Sequence, residues 1–597
     1  MLRRKVTLKI VVLISVFVLC LLTLTTVSDT HRNPVTSNSF IPEPVTHSLP
    51  SWKHQASSAH LLTRFRKMEY NPFRFVNYLN SQHLAQETDK TKVCQHMEYQ
   101  AMLQYSTATH PITPNYKAFS TSLYQRKSRL HGFMKKLAHG KPIDTTFKDK
   151  WFMFGSSIEW LEDEQCFVAY SRLIISERKS RGHPSVSLIA AQAFDKDWNE
   201  LIGKRIKYVD IDIPEDFDDQ LKAIDEKYNA FAKCVEKSAE VHSDQANSED
   251  YDKCASQHKE NQKLAEVEKQ ELINRYFRVY PTVLDIPFKT TGDLQFMGPE
   301  DPKVIIRRNL DGTLEPLVFY NMEDDNYDRR LMFIVMPHRK INPIMPLVDE
   351  EFTITRIQKN WSPFIMDGDS VKGGSRGFVH IIQHIIPTTV LKCSLDDGKC
   401  SFVFNASAIE GSQSIESRDI RGGTEFIRLP QGIPEFSGRN IWIGVIKVHI
   451  KDCGGTSQFY RPHLALMEER KGEYSFLSIS SAIHFNRDVL GWDLESTSMF
   501  FVNIMSPNSI ASWNVVSHDQ ETDIYEDYME LTFSEADFNS HILTLKGVID
   551  YVRQVLRDSD STNQVSALEP HSSFAISKCV CSHLREYCER YGKLHEQ

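Results

Sequence analysis

Two adjacent carboxylates, Glu300 and Asp301, lie in the stretch Gly298-Pro-Glu-Asp-Pro-Lys303, directly before an apolar run typical of a strand. The proline at position 302 disfavours helix at Asp301 and biases that residue toward an extended backbone. Both side chains are therefore predicted in a loop that enters a strand, where catalytic groups are commonly placed. Such a pair can act in proton transfer or bind hydroxyl groups. The alternative is that both residues form a turn or add surface charge.

Short runs rich in aromatic and β-branched residues surround this motif and predict the elements that must position it. These strand signals extend over residues 151–515 and are separated by turn residues. Residues 214–277 interrupt them with charged, helically spaced sequence, which predicts an inserted helical hairpin. Residues 68–150 are predicted as a mixed helical region and residues 516–597 as a helical extension. The pattern indicates an all-β body and leaves a sandwich, a barrel or a propeller open.

The N-terminus predicts membrane attachment. Residues 10–27 are apolar and uncharged, and they follow a basic tail of residues 1–9. This length fits one transmembrane helix, and the run lacks a clear cleavage site, which favours a retained signal anchor. The basic tail predicts a cytosolic N-terminus and type II topology. Residues 28–67 are rich in Ser, Thr and Pro and are predicted as a flexible stem.

Charge and cysteine content narrow the classes of partner and compartment. The formal net charge is −8, which gives no electrostatic reason to expect a nucleic-acid partner. All cysteines except Cys20 would lie in the lumen, where disulfides persist. We expect the pairs Cys393–Cys400 and Cys234–Cys254. Two tripeptides predict lumenal glycosylation, at Asn360 and Asn405.

Several other positions are candidates for binding. Asp324 and Asp325 end a run of three acids that could bind a divalent cation, Mn or Mg, although a solvated hairpin tip is the alternative. Trp361 is predicted either as a platform for a sugar ring or as a core anchor. One of three residues at a predicted strand start is expected to contact sugar or phosphate: Tyr460, Arg461 or His463.

The motif resembles the Glu-Asp-Pro-Arg signature of five-bladed β-propeller mannoside phosphorylases. More broadly, the chain is similar to the fungal β-mannosyltransferases that add β-1,2-linked mannose to cell-wall mannan and glycolipid. The segments that carry this resemblance are FMGPEDPKVIIR, KNWSPF, RGGTEFIRLP and YRPHLALMEE. The resemblance implies a five-bladed β-propeller over residues 151–515, a Golgi membrane location, GDP-mannose as donor, and a mannan or glycolipid acceptor. Lys303 departs from the phosphorylase signature, because lysine offers a point charge where arginine offers a fork.

The resemblance also implies roles for individual residues. The donor linkage is α and the product linkage is β, so a single inverting displacement is expected, with Asp301 as general base and Glu300 holding hydroxyls or orienting Asp301. Arg172, Lys303, Arg421 and Glu425 are expected to contact sugar or phosphate. Two alternatives stay open: a β-mannoside phosphorylase or hydrolase of the same fold, and a non-catalytic, membrane-tethered glycan-binding protein.

Overall fold

The computed structural model describes residues 59–79, 90–125, 130–229, 248–288, 298–324, 329–349, 357–371, 375–406, 419–492, 501–562 and 570–595. Within these ranges the chain is mostly β. The strands are β1 Tyr70–Leu79, β2 Glu98–Ser106, β3 His110–Pro111, β4 Trp151–Leu161, β5 Cys166–Ile175, β6 Val186–Phe194, β7 Lys204–Lys207, β8 Phe277–Tyr280, β9 Thr282–Val283, β10 Glu300–Arg308, β11 Leu314–Asp324, β12 Arg329–Val335, β13 Ile344–Asp349, β14 Ser362–Phe364, β15 Phe378–His384, β16 Thr389–Ser394, β17 Lys399–Asn405, β18 Ile420–Arg421, β19 Ile427–Arg428, β20 Asn440–Cys453, β21 Thr456–Arg470, β22 Glu473–Ser480, β23 Phe501–Asp519, β24 Ile524–Glu535 and β25 Asn539–Lys546. The helices are α1 Ala59–Lys67, α2 Lys90–Met97, α3 Tyr116–Gln125, α4 His131–Ala138, α5 Phe147–Lys150, α6 Phe217–Asn229, α7 Ser248–Tyr276, α8 Val548–Thr562 and α9 Pro570–His595.

The described strands form hydrogen-bonded sheets of 11, 8, 4 and 2 strands, and most of these strands fall into five antiparallel groups along the chain. Group one is β4, β5, β6 and β9, group two is β10 to β13, and group three is β14 to β17. Group four is β18 to β22, and group five is β23 to β25 with β3. Central strands such as β6 are buried along their whole length, which explains why they are almost continuously apolar.

Each group contacts the next group along the chain, and group five contacts group one. Groups two and three pair through β13 and β17, and groups four and five through β21 and β23, both in parallel. Near the first strand of each group, further contacts join one group to another. They are the hydrogen bond from Val304 N to Ser157 Oγ (2.9 Å), the bridge between Phe364 and Phe426, the bond from Ile510 N to Glu425 Oε1 (2.6 Å), and the bond from Ile158 N to Ser509 Oγ (2.7 Å).

The two ends of the described chain correct the predicted boundaries. Residues 68–150 contain helices, but they also contain the β1–β2 hairpin, which lies between β22 and β25 and so joins groups four and five. In β1, Phe73 and Phe75 alternate with exposed residues and enter the core, a period of two that is typical of a strand. The strands of group five continue to Lys546, so the helical C-terminal part is α8 and α9 and does not begin at residue 516.

The stretch predicted as a helical insert contains α6 and α7, which pack against each other through Phe217, Ile224 and Leu272. Strands β7 and β8 pair immediately outside this helical pair. Among the helices in the described ranges, none has both the length and the apolar character that a membrane crossing requires. The predicted transmembrane helix, residues 10–27, lies outside the described residues. So does the predicted stem, residues 28–67, as far as residue 58.

Three disulfides are present in the described part of the chain. The predicted Cys393–Cys400 bond is confirmed, and it closes the β16–β17 hairpin. Cys94–Cys579 joins α9 to α2, and Cys453–Cys588 joins α9 to the end of β20. The predicted Cys234–Cys254 pair falls outside the described side chains.

Candidate active site

The Glu-Asp-Pro motif forms a β-bulge at the start of β10. The pairing of β10 with β11 shifts register between Glu300 and Lys303, and Asp301 has a φ of 52°. The expectation of an extended backbone at Asp301 is therefore wrong, because the bulge inserts an extra residue that takes the left-handed conformation. Bulges of this kind redirect side chains and are common beside active sites. Gly298 is required here, since it has a φ of 98° and a Cβ would lie 2.1 Å from the carbonyl oxygen of Ser187.

Arg172 joins both motif carboxylates. Its guanidinium lies 2.8 Å from Glu300 Oε1 and 3.1 Å from Asp301 Oδ1, and its Nε donates to Ser187 Oγ at 3.1 Å. The second oxygen of Glu300 is bound by Arg330. The Glu300 side chain is only 12% exposed, whereas that of Asp301 is 42% exposed. Glu300 is thus held in place by two arginines, and Asp301 is the motif carboxylate that a ligand can reach.

Positive charge surrounds Asp301. Burial acts to raise the pKa of this carboxyl, but the charges of Arg172, Lys447 and Lys359 outweigh burial and hold the pKa below its usual value. Lys447 lies on β20, where its pKa is lowered by burial and its register partner is Arg421 on β18. Asp301 is therefore ionised over the physiological range, as a general base must be before reaction.

A second carboxylate, Asp537, lies close enough to be affected by this charge. It occupies the turn between β24 and β25, where Ala536 and Asp537 both have positive φ, 52° and 49°. Burial raises the pKa of Asp537 to about 6, and the negative charge of Asp301 adds to that effect. Two neighbouring carboxyl groups thus have pKa values displaced in opposite directions, which is characteristic of sites that perform acid–base chemistry. We call Arg172, Glu300, Asp301, Lys447 and Asp537 the rim cluster.

The strand β21 separates the three predicted contacts Tyr460, Arg461 and His463. Successive side chains of a strand point to opposite faces, so Tyr460 lies on one face and the other two lie on the opposite face. The Tyr460 ring stacks on His449 with centroids 4.3 Å apart. Burial raises the pKa of Tyr460, and the charges of Asp537 and Asp301 contribute, which indicates that this residue faces the rim cluster.

Arg461 and His463 are candidates for ligand contact by sequence, but the structure places both side chains in the interior. Arg461 is fully buried against the rings of Phe459 and Tyr591, at 3.8 and 5.2 Å from its guanidinium carbon to the ring centroids. His463 is also fully buried, and its Nδ1 lies 2.8 Å from the carbonyl oxygen of Ser480. Burial lowers the pKa of His463 to about 3, so the ring is neutral. Both residues stabilise the interior beneath α9 and do not join the rim cluster.

Lys303 and Glu425 are two buried ionisable groups that act on each other, and both pKa values are shifted toward the neutral form. Burial lowers the pKa of the Lys303 amine to about 7, and burial raises the pKa of Glu425 to about 8. Lys303 Nζ and Glu425 Oε2 have no hydrogen-bond partner in the described part of the chain, while Glu425 Oε1 accepts from Ile510 N. Lys303 is 7% exposed and Glu425 is fully buried. Burial therefore argues against the predicted direct contact of either side chain with sugar or phosphate.

The glycines before Glu425 approach protein and not ligand. A Cβ on Gly422 would lie 2.2 Å from the carbonyl oxygen of Asn360, and one on Gly423 would lie 2.1 Å from that of Val445. The segment Arg421-Gly-Gly-Thr is therefore packed tightly against neighbouring backbone. Arg421 itself is partly exposed and its charge acts on Lys447 and Tyr460.

The remaining candidates in the described residues are not members of the rim cluster. Trp361 is 3% exposed within the core, which favours the core alternative over a sugar platform. Asp324 ends β11, and Asp325 lies outside the described residues; no group of three or more potential metal ligands is found within the described ranges. Asn360 and Asn405 are each partly exposed, so glycosylation at both stays a prediction.

Comparison with known protein families decides the relationship. The profile of the beta-mannosyltransferases matches residues 93–332 and 335–587. The chain belongs to the beta-mannosyltransferase family. The matched residues thus include the motif, the rim cluster, all of α8 and the first part of α9.

Relatives in this family come from yeasts. Beta-mannosyltransferase 1 of Komagataella phaffii is 27% identical over 75% of this chain and 60% of its own length. Beta-mannosyltransferase 4 of the same organism is 26% identical over 76% of this chain and 73% of its own length. Beta-mannosyltransferase 3 of Candida albicans is 25% identical over 90% of this chain and 85% of its own length. The chain thus spans 60%, less than two thirds, of the length of the first of these relatives. Among solved structures, Trypanosoma rangeli sialidase aligns over 70% of this chain and 60% of its own at 10% identity, with a TM-score of 0.22, too low to support an argument.

Two residues of the rim cluster, Lys447 and Asp537, were not predicted from the sequence. Lys447 is a single lysine in the apolar, strand-like run IWIGVIKVHI. A lone lysine in such a run could have indicated a buried charge. Asp537 belongs to the stretch assigned to helices, so its place in a turn beside Asp301 had no local signal.

Proposed function

We propose that this protein is an inverting β-mannosyltransferase that moves mannose from GDP-mannose to mannose residues of cell-wall mannan or glycolipid, with formation of a β-1,2 linkage. The observation that carries the proposal is the arrangement of Asp301, which is partly exposed, ionised and held 3.1 Å from the Arg172 guanidinium. Family membership supports mannosyl transfer as the reaction.

The proposed step is a single displacement. Asp301 takes the proton from the acceptor hydroxyl as the oxygen attacks the anomeric carbon of mannose. The bond between that carbon and the diphosphate oxygen breaks, and GDP leaves with the electron pair. Attack on the face opposite the leaving group inverts α to β. Glu300 fixes Arg172 and so positions Asp301, while Asp537, with its raised pKa, is suited to hydrogen-bond a sugar hydroxyl.

The charge of the departing diphosphate requires cations. Lys447 is the register partner of Arg421, and Lys447 and Lys359 both act on Asp301, so these three positive groups lie near one another beside Asp301. We assign the diphosphate to this side of the rim cluster. Lys303 is buried below the surface, and its proposed part is to adjust the charge around Asp301 without contacting the donor.

The proposal extends to fold and location. The five antiparallel groups, with contacts that run from group one to group five and back, support a five-bladed β-propeller with the rim cluster at one end of its axis. A single-pass type II protein of the Golgi membrane is proposed from the sequence of residues 1–27, and three disulfides agree with an oxidising compartment.

The deciding experiment uses the full chain in detergent with GDP-mannose and an α-mannose oligosaccharide, and NMR of the products. A new β anomeric signal on a terminal mannose, absent in Asp301→Asn and present in the surface control Asp397→Asn, is the expected result. Production of mannose 1-phosphate from phosphate and a β-mannoside, without transfer from GDP-mannose, would instead identify a phosphorylase. Binding of mannan with no turnover under any of these conditions would contradict catalysis.

A further inference from the structure

Three loops bring an arginine and two aromatic rings together beside the rim cluster. Arg181 lies in the connection between β5 and β6, Trp492 follows β22, and Phe538 lies in the turn between β24 and β25. The guanidinium carbon of Arg181 is 4.7 Å from the Trp492 ring centroid and 5.5 Å from that of Phe538. Arg181 also donates to the carbonyl oxygen of Trp492. The arginine therefore contacts both rings, and we call these three residues the aromatic wall.

The aromatic wall is continuous with the candidate site. Phe538 directly follows Asp537 in the same turn, and the charge of Arg181 acts on the Asp537 carboxyl. Phe538 is 38% exposed, and Trp492 is partly exposed. Large aromatic rings that are exposed on a loop and do not pack in the core are common in ligand sites and at interfaces.

We propose that Trp492 and Phe538 bind the acceptor glycan, at the mannose unit next to the one that receives the new bond. This inference rests on the proposed function, and it extends the site from one acceptor sugar to at least two. The ring faces offer apolar, electron-rich surfaces that match the C–H face of a pyranose. Arg181 supplies N–H donors for hydroxyl oxygens at the edge of that sugar.

Charge distribution favours a sugar over a nucleotide at this wall. The cations Lys447, Lys359 and Arg421 lie together on the side assigned to the diphosphate. At the aromatic wall, Arg181 is already engaged with both rings and with the carbonyl oxygen of Trp492, and the adjacent Asp537 carboxyl opposes a phosphate when it is ionised. A neutral glycan carries no such cost, and Asp537 can accept from its hydroxyls.

The test compares acceptors of different length. In the full chain, kcat/KM is measured with methyl α-mannoside and with α-mannotriose at saturating GDP-mannose, and the ratio of the two values reports binding beyond the first sugar. We expect Trp492→Ala and Phe538→Ala each to lower this ratio by about 3- to 10-fold, the range for one aromatic contact. Trp492→Phe retains a ring and should recover most of the ratio. Ile524→Ala, at a distant exposed site, should not change it.

Each other outcome has a defined meaning. An unchanged ratio in both alanine variants overturns the inference and leaves the proposed function intact. A rise confined to the KM for GDP-mannose would assign the wall to the nucleotide and also overturn it. If the wild-type chain transfers no mannose, the proposed function fails, and calorimetric titration with mannotriose then decides the inference alone. Binding that is lost in Trp492→Ala supports the wall, and binding that is absent or unchanged contradicts it.

Discussion

The guanidinium of Arg172 lies 3.1 Å from the carboxylate of Asp301, and this ion pair joins the second strand of group one to the first strand of group two. The proposed base is therefore oriented by a residue from a different part of the chain. Removing the arginine changes both the position and the basicity of Asp301.

Arg172→Gln should shift the acid limb of the pH profile. Arg172 helps to hold the Asp301 pKa low, so its loss raises that pKa toward the ordinary value. Asp301 then becomes protonated at a higher pH, so the acid limb of the kcat/KM profile should move up by roughly one pH unit. Activity should also fall about 10-fold or more, because Asp301 loses the group that orients it. Arg330→Gln is the matched control, because Arg330 binds Glu300 but is not among the charges that lower the Asp301 pKa. Equal shifts in both variants would contradict a specific effect of Arg172.

Gly298→Ala should impair stability and activity together. The new Cβ would lie 2.1 Å from the Ser187 carbonyl oxygen, in a backbone conformation that disfavours side chains, so the segment that leads into Glu300 and Asp301 must move. We expect a loss of about 1 to 3 kcal/mol in the free energy of unfolding and a fall in kcat. Denaturant titration measures the first. Gly432→Ala, where a Cβ meets nothing within 4 Å, should leave both values near wild type.

Glu425→Gln should change how stability depends on pH. The pKa of Glu425 is raised from 4.5 to about 8 in the folded state, so the folded protein binds this proton more tightly than the unfolded chain does. Stability from the protonated carboxyl is complete below about pH 4.5 and is lost as pH rises toward 8. Glutamine keeps the acceptor for Ile510 N and does not titrate.

The variant should therefore gain stability over wild type as pH rises from 5 to 8, by on the order of a few kcal/mol. Melting temperature measured across that range checks this. A constant difference between the two proteins at every pH would show that Glu425 is not protonated preferentially in the folded state.

Removal of the Cys94–Cys579 disulfide should destabilise the protein more than removal of Cys393–Cys400. The first bond joins residues separated by 485 positions, and the second closes a hairpin with a separation of 7. Constraint of the unfolded chain grows with the loop that is closed, so we expect about 3 to 5 kcal/mol for the first and distinctly less for the second. Urea unfolding of paired Cys→Ala variants measures both. A larger loss from the short loop would contradict this account.

Local sequence was sufficient for most strands between residues 151 and 515 and for the position of the motif. The runs from Trp151 onward have strand composition, and the short spacing of Cys393 and Cys400 around turn residues predicted their disulfide. The Glu-Asp-Pro stretch predicted its place at the start of a strand, but not the bulge. A bulge depends on the partner strand β11, which the local sequence does not specify.

Assembly of the site could not be predicted, because its residues come from distant parts of the chain. Arg172, Lys447 and Asp537 meet Asp301 only when groups one, four and five pack around group two. The error at Arg461 has a different cause. Its neighbour Tyr460 faces the rim cluster, and the choice between the two faces of β21 is set by the register with β20.

The position of the β1–β2 hairpin bears on the order of synthesis. The ribosome makes this hairpin early, yet its two neighbours in the sheet, β22 and β25, emerge only near the end of the chain. Both edges of the hairpin must stay unpaired through most of translation, and unpaired edges invite association with other chains. We therefore expect the nascent chain to be prone to association until its last strands appear, and C-terminal truncation before β25 should cause aggregation rather than release of a smaller folded unit.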